Sequence, residues 1–288
     1  MELAITVLLV INLFSFCISG LDKYLAVRNR TRIPEIVLLT ISLFGGGFGL
    51  LLSFVVFHHK IRKKKLLILV IITVIIWLFL IYYTLPFFST NKFKAEDFNI
   101  TVIKSPIDQN NNGLDDYTDI LLGAKQEALS HPVYKSAYYK EGYPPAEEGV
   151  CTDTVWRAFK NAGYLLKDLV DADIKEHTNL YPNVKGKPDK NIDFRRVKNL
   201  KVFFERTSQI LTNDIRQIDQ WMPGDIVIFG KDYSHIAIIS DYRNSQGIPF
   251  IIHNAGQKNR EENALIYWNQ TRGVTGHYRF KGGINNND

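Results

Sequence analysis

The chain has 288 residues, 46% of them apolar, with two cysteines and a formal charge of +6 at neutral pH. Cys17 lies inside an apolar segment and Cys151 far downstream, which excludes a disulfide framework in the water-compatible part. The charge is no nucleic-acid footprint either, because much of it sits in GLDKYLAVRNRTR and HHKIRKKK, two short stretches between apolar segments.

Three apolar segments, residues 3–19, 34–57 and 66–88, each approach or exceed the roughly 18 to 20 residues that cross a bilayer. They predict an all-α membrane domain over residues 1–90 with about three spans. The first is read as a retained anchor, since no basic residue precedes it and two further spans follow. HHKIRKKK at residues 58–65 favours the cytoplasmic face, so the span from Leu66 delivers residue 91 onward to the extracytoplasmic side. Lys23, Arg28, Arg30 and Arg32 favour the cytoplasm too, and three simple spans cannot place both loops there. Either the middle segment is re-entrant, broken at GGGFG (residues 45–49), or it crosses with a small-residue packing face.

Residues 91–125 read as a linker that carries DQNNNGLDDYTD, residues 108–119. With Asp108 first, Asn110, Asn112, the carbonyl of Leu114, Asp116 and Asp119 fall at the ligand positions of an EF-hand loop, with Gly113 at its sharp turn. Asp in the last position and Pro106 in place of an entering helix make it similar to a dockerin-type half site. The expectation is a structural calcium ion; the alternative is an Asn-rich turn that binds nothing.

Residues 126–282 form the principal domain, followed by a polar tail at 283–288. In GVCTDTVWRAFKNAGY, residues 149–164, the apolar spacing from Cys151 predicts an amphipathic helix that Gly163 stops. A thiol at a helix N-terminus is favoured as thiolate, but Glu147, Glu148 and Asp153 oppose ionisation, so activation rests on a base. WMPGDIVIF, DYSHIAIISD and IPFIIHN predict three strands. A hairpin centred on Asn244 sets His235 directly opposite His253, with Cβ atoms about 5 Å apart. Nothing in that register brings His277 near them. Arg195 and Arg196, with Asp193, are candidates for holding a substrate carboxylate, or else form a structural ion pair or a solvated face. Asp153 is a candidate for capping the helix start or contacting substrate.

GVCTDTVWRAF, PGDIVIF, SHIAIIS and FIIHN, in that order over roughly residues 125–281, resemble the NlpC-type cell-wall cysteine peptidases, a papain-like superfamily. The insertion at residues 181–200 points to an uncharacterised bacterial branch. LDKYLAVRNRTRIPE, FGGGFG and FHHKIRKK resemble a small bacterial membrane-domain family of no assigned function. The first resemblance implies an α+β fold, a nucleophile helix packed on an antiparallel sheet, with Cys151 as nucleophile, His235 as base and His253 as orienting residue. Gly224 and Asp225 match its turn before the first sheet strand. The expected function is a membrane-anchored cysteine hydrolase of amide or peptide bonds, most plausibly in peptidoglycan, without a catalytic cofactor. Its partners are the lipid bilayer and a peptide or acyl substrate, not nucleic acid. Acyl transfer or lipid hydrolysis on the same fold, and a non-catalytic calcium-dependent wall-binding module, are the alternatives.

Overall fold

The structure, a computed structural model, describes residues 2–58, 60, 63–88 and 92–282, with the side chains of 2–5 and 84–88 excepted. The polar tail and His59, Ile61 and Arg62 of the second basic loop lie outside the described residues. The chain divides into two compact units, Met1–Phe88 and Ser89–Asp288.

In the first unit α1 (Glu2–Val27) and α4 (Lys64–Phe88) are each long enough to cross a bilayer. By length and composition alone Glu35–Val56 qualifies too. Its backbone is broken midway: α2 (Glu35–Ile41) and α3 (Gly47–Val56) are separated by non-helical torsions at Phe44 and Gly45, where φ is +100°. Both ends of this segment meet the same end of α1. The Ile33 N–H donates to Asp22 (2.8 Å), Lys60 pairs with Asp22 (2.7 Å), and the Phe57 ring lies against Gly20. Its midpoint meets the other end, where Gly45 lies against Leu8 and Trp77. The middle segment therefore folds back along α1 as a helical hairpin, and both of its ends lie beside the same end of that helix. Helices of 7 and 10 residues reach only about 10 to 15 Å.

The tip of the hairpin exposes backbone groups that hydrocarbon cannot satisfy. Asn12 and Ser15 on α1 take them: Asn12 donates to the Gly45 carbonyl (2.8 Å) and accepts from the Gly49 N–H (2.8 Å), while Ser15 donates to the Gly46 carbonyl (2.7 Å). Only glycine fits at 49, where a Cβ would strike the Asn12 carbonyl.

The second unit opens with α5 (Asp116–Ser130), a short parallel pair β1 (Val133–Tyr134) and β2 (Glu148–Gly149), then α6 (Cys151–Asn161), α7 (Leu166–Glu176) and α8 (Val197–Thr207). β3 (Ser208–Ile210), β4 (Ile226–Phe229), β5 (His235–Arg243), β6 (Pro249–Ile252) and β7 (Glu261–Glu262) follow, then α9 (Leu265–Arg272) and β8 (Val274–Phe280). Among the described residues six strands form one antiparallel sheet in the order β3-β8-β4-β5-β6-β7. β4 and β5 are buried on both faces, which is why IVIF and HIAII are unbroken apolar runs. Ile226, Ile228, Ile236, Ile238 and Ile252 pack against the α5–α8 side; Val227, Phe229, Ala237, Ile239 and Ile251 pack with Trp221 and Leu265 on the other.

The stretch read as a linker is part of this unit. Phe93 exchanges backbone hydrogen bonds with Arg243 (2.9 and 2.8 Å), and α5 supplies Ile120 and Ala124 to the core that holds α6.

Candidate active site

Cys151 is the first residue of α6, and Gly163, at φ +85°, closes the turn behind that helix. The thiol is 7% exposed. The backbone N–H groups of Ile236, Thr152 and Cys151 itself lie near enough to it to favour the ionised form. Ile236 lies two residues before Ile238, whose pairing with Ile252 is the last that joins β5 to β6, and so beyond the end of that ladder. Burial pushes the thiol up to about 11 and the charge of Asp153 adds to this, against the opposing pull of the three N–H groups. The helix start thus does not create a resting thiolate. Alkylation of Cys151 by iodoacetamide should accordingly be slow at pH 7 and rise about tenfold per pH unit towards 11. A rate that levels off near pH 7 would show a thiol ionised by its helix instead.

His235 opens β5, and the register differs from the direct opposition expected. Ile238 pairs with Ile252 and Ile239 with Ile251, which continues to Ala237 opposite His253. Irregular pairing between Ile239 and Arg243 takes up two extra residues of β5. A slip of two preserves the face. The imidazoles consequently meet on the diagonal, His235 Nε2 to His253 Nδ1 at 2.8 Å. Trp268 of α9 stacks on His235 at 4.1 Å between centroids. His235 is 6% and His253 1% exposed. Burial holds His235 well below its ordinary value, with the neighbouring His253 and Arg272 adding to it, so the ring is neutral at neutral pH. On its far side His253 Nε2 lies 3.0 Å from Glu262 Oε1 and 3.1 Å from the Gln257 amide nitrogen. The thiol makes no hydrogen bond to either imidazole; its link to this strand is the N–H of Ile236, next to His235.

Asn254 fastens the end of β6 to the approach of α6, its amide donating to the carbonyls of Gly149 (3.1 Å) and Pro132 (3.2 Å). Glu262, Trp268 and Asn254 were not singled out in the sequence. REEN reads as a solvated charge run, and only the strand alternation that sends Glu261 and Glu262 to opposite faces marks the second as different.

Asp153 and Arg195 are brought together, but not towards a substrate. Arg195 donates to both carboxylate oxygens of Asp153 (2.7 and 2.8 Å), with both side chains buried. Asp153 also accepts from the Val150 N–H (2.7 Å) and the Trp156 indole (2.7 Å), and so caps α6. Of the alternatives for these residues, the arrangement agrees with the cap for Asp153, whose two oxygens accept four hydrogen bonds, and with an ion pair for Arg195, whose remaining contact is to the Ala137 carbonyl (2.8 Å). Arg196 is half exposed and pairs with Asp193 (3.1 Å). His277 sits elsewhere, on β8, between Asp225 (3.0 Å) and the Thr212 carbonyl (2.8 Å). Gly224, at φ +87°, precedes Asp225 where a Cβ would meet the Tyr117 carbonyl at 2.6 Å.

In the acidic loop Asp108 accepts from the N–H groups of Asn112 (3.1 Å) and Gly113 (2.8 Å), and the amides of Asn110 and Asn112 donate to Asp119 (2.9 and 3.0 Å). Asp116 departs from the expected ligand set: it turns to Tyr164 (2.6 Å) and the Gln109 N–H (2.9 Å). Leu114 contributes an N–H bonded to Asn112 (2.8 Å). The loop rests on the end of α6, through Asn110 to the Asn161 carbonyl (2.8 Å).

Comparison with known proteins places this unit in a family. The model of a domain of unknown function, DUF1287, matches residues 121–280, more than half of the chain. Residues 12–66 match a protein of unknown function, DUF1294, in keeping with the resemblance of the first segment to a small membrane domain. Over 166 residues, 55% of this chain and 78% of the relative, the chain is 36% identical to the uncharacterized protein YijF of Escherichia coli (strain K12). No solved structure matches.

Proposed function

We propose that this chain, which belongs to the DUF1287 family, is a membrane-anchored, papain-like cysteine hydrolase that cleaves an amide or peptide bond, in peptidoglycan, outside a bacterial cell. The observation that carries this reading is the meeting of a helix-start cysteine with the first turn of a strand whose leading residue, His235, is hydrogen-bonded to a second histidine. Cys151 and His235 rest as neutral thiol and neutral imidazole, so the proton moves as the bond forms rather than beforehand. The step requires the Cys151 sulfur to come within reach of His235, to which no hydrogen bond joins it at rest; catalytic hydrogen bonds often tighten only with substrate in place. The sulfur attacks the carbonyl carbon while His235 takes its proton. The oxyanion is met in part by the Cys151 N–H at the helix start. His235 then gives the proton to the leaving amine, a thioester remains, and water activated by His235 hydrolyses it to the acid and free thiol. Incubating the purified chain with peptidoglycan should release peptide fragments carrying one new amine and one new carboxylate per cut, read by mass. Intact peptidoglycan, with a Cys151-independent release of anything else, would count against the reading.

The hairpin, read as re-entrant, supports this sidedness. On that reading both basic loops share a face, which charge assigns to the cytoplasm, and α4 then carries the chain outward. Reporters active only outside the cytoplasm should work when fused after residue 91 and fail when inserted at residue 31 or residue 60. Activity at residue 31 would mean that the middle segment crosses after all.

The same reading includes a structural calcium ion held by Asp108, Asn110, Asn112 and Asp119, apart from the chemistry. Asp116 does not fit that set. Chelation should lower the melting temperature by several degrees, with calcium restoring it, and Asp108→Ala should remove the response; identical melting with and without chelator would leave only a turn.

A further inference from the structure

Resting on the hydrolase reading, we propose that Glu262 is a fourth, positioning member of the site. Its carboxylate sets the tautomer of His253 and, through it, leaves Nδ1 of His235 as the base nitrogen. β5, β6 and β7 are neighbours in the sheet. Ile251 pairs with Glu262, so Glu262 shares its face, and alternation puts His253 and His235 there too. The three side chains form one line across three strands, Glu262 Oε1 to His253 Nε2 at 3.0 Å and His253 Nδ1 to His235 Nε2 at 2.8 Å.

Hydrogen-bond chemistry gives the line a direction. Two groups compete for His253 Nε2: the Glu262 carboxylate, which only accepts, and the Gln257 amide nitrogen, which only donates. The Gln257 amide is neutral and already satisfied in part, its oxygen accepting from the Ala255 N–H (2.7 Å) and one of its two N–H groups donating to the His253 carbonyl (3.1 Å), whereas the carboxylate is charged and accepts more strongly. Glu262 has the stronger claim, so Nε2 carries the hydrogen. The lone pair on His253 Nδ1 then accepts from His235 Nε2–H, and His235 Nδ1 is left bare. A His253 protonated on both nitrogens would reverse the second bond and put a hydrogen on His235 Nδ1, which could not then take the proton of Cys151. The other charged groups at this line are Arg272, near His235, and Arg260, near Glu262. Glu261 turns the other way, to Ser240 and to Lys125 (3.2 Å), and is the control on the same strand.

The test uses the full chain in detergent micelles with ¹⁵N-labelled histidine, the ring signals assigned by loss in His235→Ala and His253→Asn. At pH 7 both rings should carry hydrogen on Nε2 with Nδ1 bare. Glu262→Ala should release His253 into a mixture of tautomers, Glu262→Gln should keep the single form because its amide oxygen still accepts, and Glu261→Gln should change nothing. On peptidoglycan, Glu262→Ala should lower kcat about a hundredfold and Glu262→Gln about tenfold, with KM within about twofold. Hydrogen on Nδ1 of His235 in the unmutated chain, or Glu262→Ala with unaltered tautomers and kcat, overturns the proposal. Glu262→Gln, equal in size, carries the test where Glu262→Ala does not fold. Product release unchanged in Cys151→Ser would sink the hydrolase reading instead, and the tautomers are read without any substrate.

Discussion

Cys151→Ser lowers kcat/KM by about 10⁴-fold or more, and His235→Ala by about 10³- to 10⁴-fold, with both proteins folded and still able to bind peptidoglycan. The size follows from the resting state. A thiol already pushed to about 11 needs its base, and a hydroxyl in the same place is less acidic by several further powers of ten. Residues that act as one unit are not additive, so the double variant should be little worse than either single one. Position 253 behaves differently, because its part is orientation. Asn or Gln there still offers an acceptor to the His235 ring and should retain about tenfold more activity than Ala. His277→Ala should cost stability by removing a partner of Asp225 while leaving the rate within a fewfold. Loss of binding together with activity in Cys151→Ser would favour the non-catalytic, wall-binding alternative.

Asp153→Ala and Arg195→Met each destabilise the second unit by about 3 to 5 kcal/mol, because each leaves the other buried and uncompensated. Asp153 loses four donors at once, including the one that caps α6. For a unit of this size the shift in melting temperature is roughly 10 °C or more. The double variant, which removes both charges, should be clearly more stable than the sum of the singles predicts. Full additivity, or Arg195→Met that folds normally but raises KM for peptidoglycan, would return the pair to the substrate-binding part first expected of it.

The spacing from Cys151 to Ala162 was enough to read α6, because a strongly amphipathic helix ended by glycine has few other solutions. The apolar runs of β4, β5 and β6 were legible for the same reason. The register of the hairpin was not: counting residues from Asn244 cannot reveal two extra residues in β5, yet the face survived because side-chain direction repeats every second residue. In the membrane unit the glycines at 45–49 signalled the break in the middle segment, and the two basic loops signalled a conflict with three simple spans. What the sequence did not show is how the break is held, through Asn12 and Ser15, polar residues on another helix whose partners local patterning does not reveal. Asp153 and Arg195, 42 residues apart, were seen as candidates but not as each other's partners, since fork pairing is a property of the folded chain. Glu262 had no signal beyond its parity.

The central claim, that the Cys151 sulfur becomes covalently joined to substrate with His235 as its base, is tested most directly by intact-mass measurement after rapid acid quench of the chain with peptidoglycan fragments. An adduct equal in mass to the acyl half of the cleaved fragment, mapped to the peptide that contains Cys151, and absent in Cys151→Ser and His235→Ala, is the result expected. Cleavage products formed at full rate with no adduct on Cys151, and undiminished in Cys151→Ser, would contradict the account.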